Sequence, residues 1–291
     1  EEYYDNRELI KVFEQVAKLS QSRGNESSGL AFRLEYNSQI KILKSPISIT
    51  KLLKTKEYKE LKLSITNGIR EQPSNKIFAA LGHARLVTDG SQLSPENNQP
   101  VVKDGIIGIH NGIIVNANDI WKINPKMKRE YDIDTEVLLS LFSLNIKRLN
   151  STVHAISKTI ESISGTIASS FLFDNRNEIV LITNNGSLFT ATNWKDYLVF
   201  ASEQYILESL FKKSNIEKNV KDISIQQIQP NNGYQILLED FIINKFSIYD
   251  KINKPIISPK LKPVGKLNIV SVSTESKVNQ RSALVDLKSI R

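Results

Sequence analysis

The sequence predicts an α+β fold in layers, with helices packed on sheets. Three observations point there. Residues Asp134 to Leu149 place Val137, Leu138, Leu141, Phe142 and Leu144 at helical spacing. From Gly165 onward the chain is a succession of short apolar runs separated by Asn/Gly turns. Blocks of strand, helix and strand follow one another, and there is no internal repeat and no low-complexity tract.

The elements are expected in this order. Asp5 or Asn6 can cap a helix to about Ser22 with Leu9, Val12, Phe13, Val16 and Leu19 on one face, and Gly24 stands where a C-terminal glycine belongs. GLAFRLEYNSQIKIL, from Gly29 to Leu43, reads as two strands with a turn at Asn37-Ser38. Residues 48 to 63 look helical, Lys76 to Ala84 is strand-like, and Gly105 to Val115 gives two short apolar runs. After the Asp134 helix, a second helix is expected over Thr152 to Ile163. The strand-like runs GTIASSFLF, EIVLIT, LFTAT, YLVFAS, YQILL and FIINKFSIY then follow, interrupted by a helix near Glu203 to Lys212.

The length of 291 residues suits one large domain or two small ones. The composition, 40% hydrophobic and 24% charged, is that of an ordinary globular protein. No apolar run approaches the roughly 20 residues of a membrane span, and the charged N-terminus EEYYDNRELIKVFEQV is no signal peptide. A cytoplasmic location and no membrane partner are therefore expected. Zero cysteines exclude disulfides and thiolate metal sites, and His83, His110 and His154 lack metal-ligand spacing, so no metal is expected.

The net charge of +8 invites a nucleic-acid reading. Its distribution argues against one. Residues 251 to 291 hold nine Lys/Arg and two Asp/Glu, a net of +7, which leaves +1 on the first 250 residues. Pro255, Pro259 and Pro263 fall in the basic stretch, which reads as an extended tail or linker over 250–291 behind a domain at 1–249.

The residues able to carry chemistry gather in Gly82 to Gly112 and in Asp134 to Val137. Arg85 ends a strand and can hold a carboxylate in bidentate fashion, or pair with a surface acid. Asn111 and Gly112 can converge as an oxyanion hole, or form a hairpin turn. Asp134 can receive an ammonium group, or cap its helix. His83 and His110 are expected to orient local backbone. Zinc-protease, dinucleotide, Walker A and nucleophile-elbow motifs are all missing, which excludes the corresponding enzyme classes.

Together these segments resemble the class II glutamine amidotransferase (glutaminase) domain, an N-terminal-nucleophile hydrolase. RGNESSG at Arg23 to Gly29 is similar to the family's RGxDSxG, GHARLVTDG to its GHTRxxTxG, and ENNQP at Glu96 to Pro100 to its ExxxP stretch. HNGII at His110 to Ile114, DTEV and the weaker VFASEQ block follow in the family's order. The resemblance covers about Glu8 to Tyr249. It implies a four-layer αββα sandwich and a pocket for L-glutamine. Arg85 would take the α-carboxylate and Asp134 the α-ammonium. Asn111 and Gly112 would form the oxyanion hole, with Thr88 and Asp89 in the loop closing over the substrate. It implies no cofactor. It also implies a synthase domain or subunit that accepts ammonia, for which an asparagine-synthetase-like acceptor is one reading, and it is compatible with a homo-oligomer.

The family departs from this sequence at two points. Its nucleophile is an N-terminal cysteine on a central strand, whereas EEYYDN precedes the first helix here. The preferred expectation is a cysteine-bearing segment upstream of Glu1, and the alternative is an inactive glutaminase-like binding or structural module. Asp89 stands where sugar-phosphate members carry histidine.

Overall fold

The computed structural model describes residues 6–34, 39–71, 78–86, 94–195, 197–213, 222–249 and 267–271. The chain divides into two compact units, Glu1–Pro100 with Pro263–Arg291, and Val101–Lys262.

The first unit contains helix α1 (Asn6–Leu19), strands β1 (Ser27–Leu34) and β2 (Gln39–Ser45), helices α2 (Ile49–Leu52) and α3 (Lys56–Glu71), and strand β3 (Phe78–Arg85). Strand β1 is central, antiparallel to β2 on one side and to β3 on the other. Period-2 alternation explains the packing. Leu30 and Phe32 of β1 join Leu43 of β2 in a core with Ile10 and Ala17 of α1, Ile49 and Leu52 of α2, and Tyr58 and Ile65 of α3.

The first helix stops at Leu19 and continues as a 3-10 turn over Ser20–Arg23. Its innermost residues are Ile10, Val12 and Ala17, with Phe13 partly buried beside them. The helical stretch expected over 48 to 63 falls into two helices. Thr55 divides them, because its hydroxyl donates to the Leu52 carbonyl (2.9 Å) and accepts from the Tyr58 N–H (3.2 Å). One side chain thus closes α2 and caps α3.

The second unit holds the remaining strands except the last. They are β4 (Val101–Lys103), β5 (Ile106–Ile114), β6 (Gly165–Phe173), β7 (Glu178–Thr183), β8 (Phe189–Thr192), β9 (Leu198–Ala201), β10 (Ser224–Gln227), β11 (Asn232–Leu237) and β12 (Ile242–Ser247). Its helices are α4 (Ala117–Ile123), α5 (Asp134–Leu149), α6 (Thr152–Glu161) and α7 (Gln204–Lys213). Six strands form an antiparallel sheet in the order β12-β11-β7-β6-β5-β4, and β10-β8-β9 form a second, smaller one.

Helices α5 and α6 share a core with the six-stranded sheet through Val137, Leu138, Phe142, Ile156, Phe171 and Phe173. The Phe142 ring meets Phe171 and Phe173 edge-on, at 5.2 and 5.7 Å between centroids, the geometry aromatic rings prefer. The bounds expected for α5, β6 and β7 are those observed.

The Gly105 to Val115 stretch is one strand rather than two short runs, because nine consecutive residues of β5 pair with β6. Within the segment read as an extended tail, β13 (Leu267–Ser271) lies parallel to β2 at the edge of the first unit's sheet. Among the described residues no helix is long and apolar enough to cross a membrane.

Candidate functional site

In the first unit, β3 delivers Arg85 at its last position, 5% exposed. Its Nη1 donates to the Asn97 carbonyl (2.8 Å) and approaches Asn98 Oδ1 at 3.5 Å. Both of these partners lie on a buried turn. That turn begins with the 3-10 residues Pro95–Asn97 and is part of the ENNQP motif. From β2, Lys44 reaches the same turn and donates to the Asn98 carbonyl at 2.9 Å.

Between Lys44 and Arg85 lies Gly29 of β1, directly opposite Lys44 in the strand register. A Cβ on Gly29 would lie 2.2 Å from the Gln99 carbonyl oxygen. Glycine is required there because the turn occupies the space of a side chain. The last glycine of RGNESSG and the ENNQP stretch therefore fit one another physically. Lys44 is 4% exposed. Burial pulls its pKa down to about 8, against the opposing pull of Glu96.

In the second unit, Asn111 and Gly112 lie in the middle of β5, opposite Ala168 and Ile167 of β6. The hairpin-turn reading of Asn-Gly is corrected. A local turn preference loses to the full β5–β6 ladder. Gly112 has φ +144°, and a Cβ there would lie 1.9 Å from the Thr166 carbonyl oxygen and 2.8 Å from His110 Nε2. No L side chain fits this backbone. Gly112 is exposed and Asn111 half-buried, so the kinked backbone faces an accessible surface.

His110 supports the kink from below. It is 3% exposed, its Nε2 is 3.2 Å from the Thr166 carbonyl, and its Nδ1 is 3.4 Å from Thr135 Oγ1. A carbonyl only accepts, so Nε2 carries the proton, and Nδ1 accepts from the Thr135 hydroxyl. Burial lowers the His110 pKa, opposed by Asp134 and by the Thr166 bond, so the neutral form is favoured at neutral pH.

Asp134 is the first residue of α5, and the N-cap position belongs to Ile133, without a side-chain cap. The capping reading of Asp134 is therefore corrected. Its Oδ2 accepts from the Ile114 N–H at 2.9 Å, tying the helix start to β5, and its Oδ1 stands 3.9 Å from His110 Nδ1. The side chain keeps 17% of its exposure, enough for a cation to reach the carboxylate.

The rest of DTEV anchors this start. Glu136, fully buried, accepts from the backbone N–H groups of Glu130 (2.7 Å) and Tyr131 (2.9 Å) and pairs with Lys103 at 3.1 Å. Val137 enters the core.

The second unit thus brings Asn111, Gly112, His110 and Asp134 together, and the first unit places Arg85 on its turn. Thr88 and Asp89 lie outside the described residues. Sequence reasoning missed Lys44. Its signal was present: Ile40, Ile42 and Lys44 alternate on one side of β2, and the two isoleucines are buried. Among the described residues no cluster of three or more His, Asp or Glu suits a metal ion.

Residues 83–209 match the family model of the glutamine amidotransferase domain. Over that segment the chain is similar to a glutamine amidotransferase domain. It is 27% identical over 212 residues to the glutamine–fructose-6-phosphate aminotransferase (isomerizing) of Caldanaerobacter subterraneus subsp. tengcongensis, covering 67% of this chain and 32% of that protein. It is 26% identical over 220 residues to the 7-cyano-7-deazaguanine synthase of Saccharolobus solfataricus, covering 74% of this chain and 42% of that protein. The chain therefore spans less than half the length of these curated relatives. In fold it resembles the glutamine phosphoribosylpyrophosphate amidotransferase of B. subtilis, with a TM-score of 0.59 at 20% identity over 84% of this chain and 48% of that one.

Proposed function

We propose that this amidotransferase domain binds L-glutamine and serves the hydrolysis of its side-chain amide, which yields glutamate and ammonia for an acceptor in a synthase domain. Arg85 takes the α-carboxylate, since its guanidinium is a planar donor fixed by the Asn97 carbonyl. Asp134 takes the α-ammonium with a carboxylate already oriented by the Ile114 N–H.

Asn111 and Gly112 stabilise the oxyanion that forms when the amide carbonyl becomes tetrahedral. Donors held in place before reaction are worth about 3–4 kcal/mol each in such sites. The observation that carries the proposal is the Gly112 backbone, locked at φ +144° over His110 and Thr166. Only glycine fits that backbone, and it stands exposed beside Asn111. Thr88 and Asp89 are assigned to the closing loop by sequence resemblance alone.

A thiol route requires a nucleophile that these 291 residues do not contain. A second reading is a glutamine-binding module without hydrolysis. Both readings share the binding site, so binding is the first test. Calorimetry of L-glutamine with Arg85→Ala is expected to show no measurable heat, and unchanged affinity contradicts the assignment. Reading the gene upstream of Glu1 separates the two. Met-Cys-Gly followed by apolar residues supports the enzyme, and an in-frame start without cysteine supports the module.

A further inference from the structure

We propose that Lys44 is a positioning residue for glutamine recognition, holding the Asn97–Gln99 turn so that Arg85 presents its guanidinium to the α-carboxylate. The inference rests on the reading of Arg85 as the carboxylate ligand. Three observations within the first unit carry it.

The first is the clamp. Lys44 and Arg85 come from strands on either side of β1 and grip adjacent carbonyls, Lys44 at Asn98 (2.9 Å) and Arg85 at Asn97 (2.8 Å). The second is the seat. Gly29 opposite Lys44 leaves room for the Gln99 carbonyl, so the turn is pressed onto the sheet between the two cations. The third is the cost. Lys44 continues the row of Ile40 and Ile42, 0% and 1% exposed, at a place where an apolar residue would pack without penalty. A lysine buried there at 4% exposure pays desolvation, which its lowered pKa records. A charged group whose burial cost about offsets its bond to the turn adds little to folding, and its grip on the support of a recognition residue is better explained by the site.

Lys44 does not touch the ligand in this account. Its effect passes through the turn to Arg85, and only a ligand carrying the α-carboxylate senses it. The 291-residue chain and its Lys44→Met variant are titrated calorimetrically with L-glutamine and with 4-aminobutanamide, the same molecule without the carboxylate. Glutamine affinity is expected to fall roughly ten- to hundred-fold, the worth of one hydrogen bond made by a charged group. Affinity for 4-aminobutanamide is expected to stay at the wild-type value.

Equal weakening of both ligands, or unchanged glutamine affinity, overturns the inference. Arg85→Ala, measured in parallel, tests the reading beneath it. If that variant loses the preference for glutamine over 4-aminobutanamide while Lys44→Met keeps it, the role of Lys44 is wrong and that of Arg85 stands. If Arg85→Ala keeps the preference, the reading of Arg85 falls and the inference with it. Should Lys44→Met not fold, Lys44→Gln replaces it with a shorter, uncharged donor. The same selective loss is expected, and wild-type glutamine affinity in the folded Lys44→Gln protein again overturns the inference.

Discussion

Replacing Lys44 by methionine also makes a stability prediction whose sign is unusual for a buried charge. In the folded chain the Lys44 pKa is lowered from 10.5 to about 8, chiefly by burial and against the pull of Glu96. At 1.36 kcal/mol per pH unit this amounts to about 3 kcal/mol of cost to the folded state while the group is charged. Between pH 8 and 10.5 the unfolded chain retains a proton that the folded chain has released. Stability from this group therefore rises with pH across that window. Below pH 8 the full cost is present.

Lys44→Met removes that cost and loses the bond to the Asn98 carbonyl, which forfeits about 1–3 kcal/mol. At pH 7 the two terms nearly cancel, and the variant is expected to lie within about 2 kcal/mol of wild type. Urea denaturation of both proteins at pH 7, 8, 9 and 10.5 measures this, and other lysines cancel in the difference. The wild type is expected to gain about 3 kcal/mol on the variant from pH 8 to 10.5. Parallel stability curves across that window refute the argument that burial dominates Lys44.

Gly112→Ala forces a Cβ to within 1.9 Å of the Thr166 carbonyl oxygen at φ +144°. A loss of about 3 kcal/mol or more is expected, a fall of roughly 6–12 °C in Tm by calorimetry, together with loss of glutamine binding. A change under about 1 kcal/mol contradicts the strained geometry. Lys103→Met strands Glu136, fully buried beside it, and about 3–5 kcal/mol of stability should be lost in urea denaturation. Lys122→Met at the exposed Lys122–Asp119 pair is the control and should change stability by less than about 1 kcal/mol.

Much of this fold was legible from residue spacing, and the failures have physical causes. Helix α5 was read to its ends because its apolar positions keep the helical period from Val137 to Leu144. Strands β6 and β7 were equally clear as short runs rich in apolar residues between turn residues. The short strands β4 and β10 and the polar helix α4 are too brief or too mixed in polarity to show a period.

At the site, residue types were legible and geometry was not. Asn111-Gly112 has the strongest local signature of a turn, yet long-range pairing with β6 keeps it extended. Asp134 sits one position inside its helix, so its carboxylate serves the strand β5. Lys44 was missed because lysine is rarely a buried residue, although it follows Ile40 and Ile42 on their buried face of β2. Its partner, the Asn98 carbonyl, is distant in sequence.

The central claim is that the Asp134 carboxylate, held by the Ile114 N–H, receives the α-ammonium of glutamine. Calorimetric titration of L-glutamine into wild type and Asp134→Asn tests it most directly. The substitution keeps an oxygen for the Ile114 N–H and removes the charge. The account predicts binding to wild type and a loss of at least about ten-fold in the variant, the value of a charge-assisted contact. Equal affinity in the two proteins, or no binding to wild type, contradicts it.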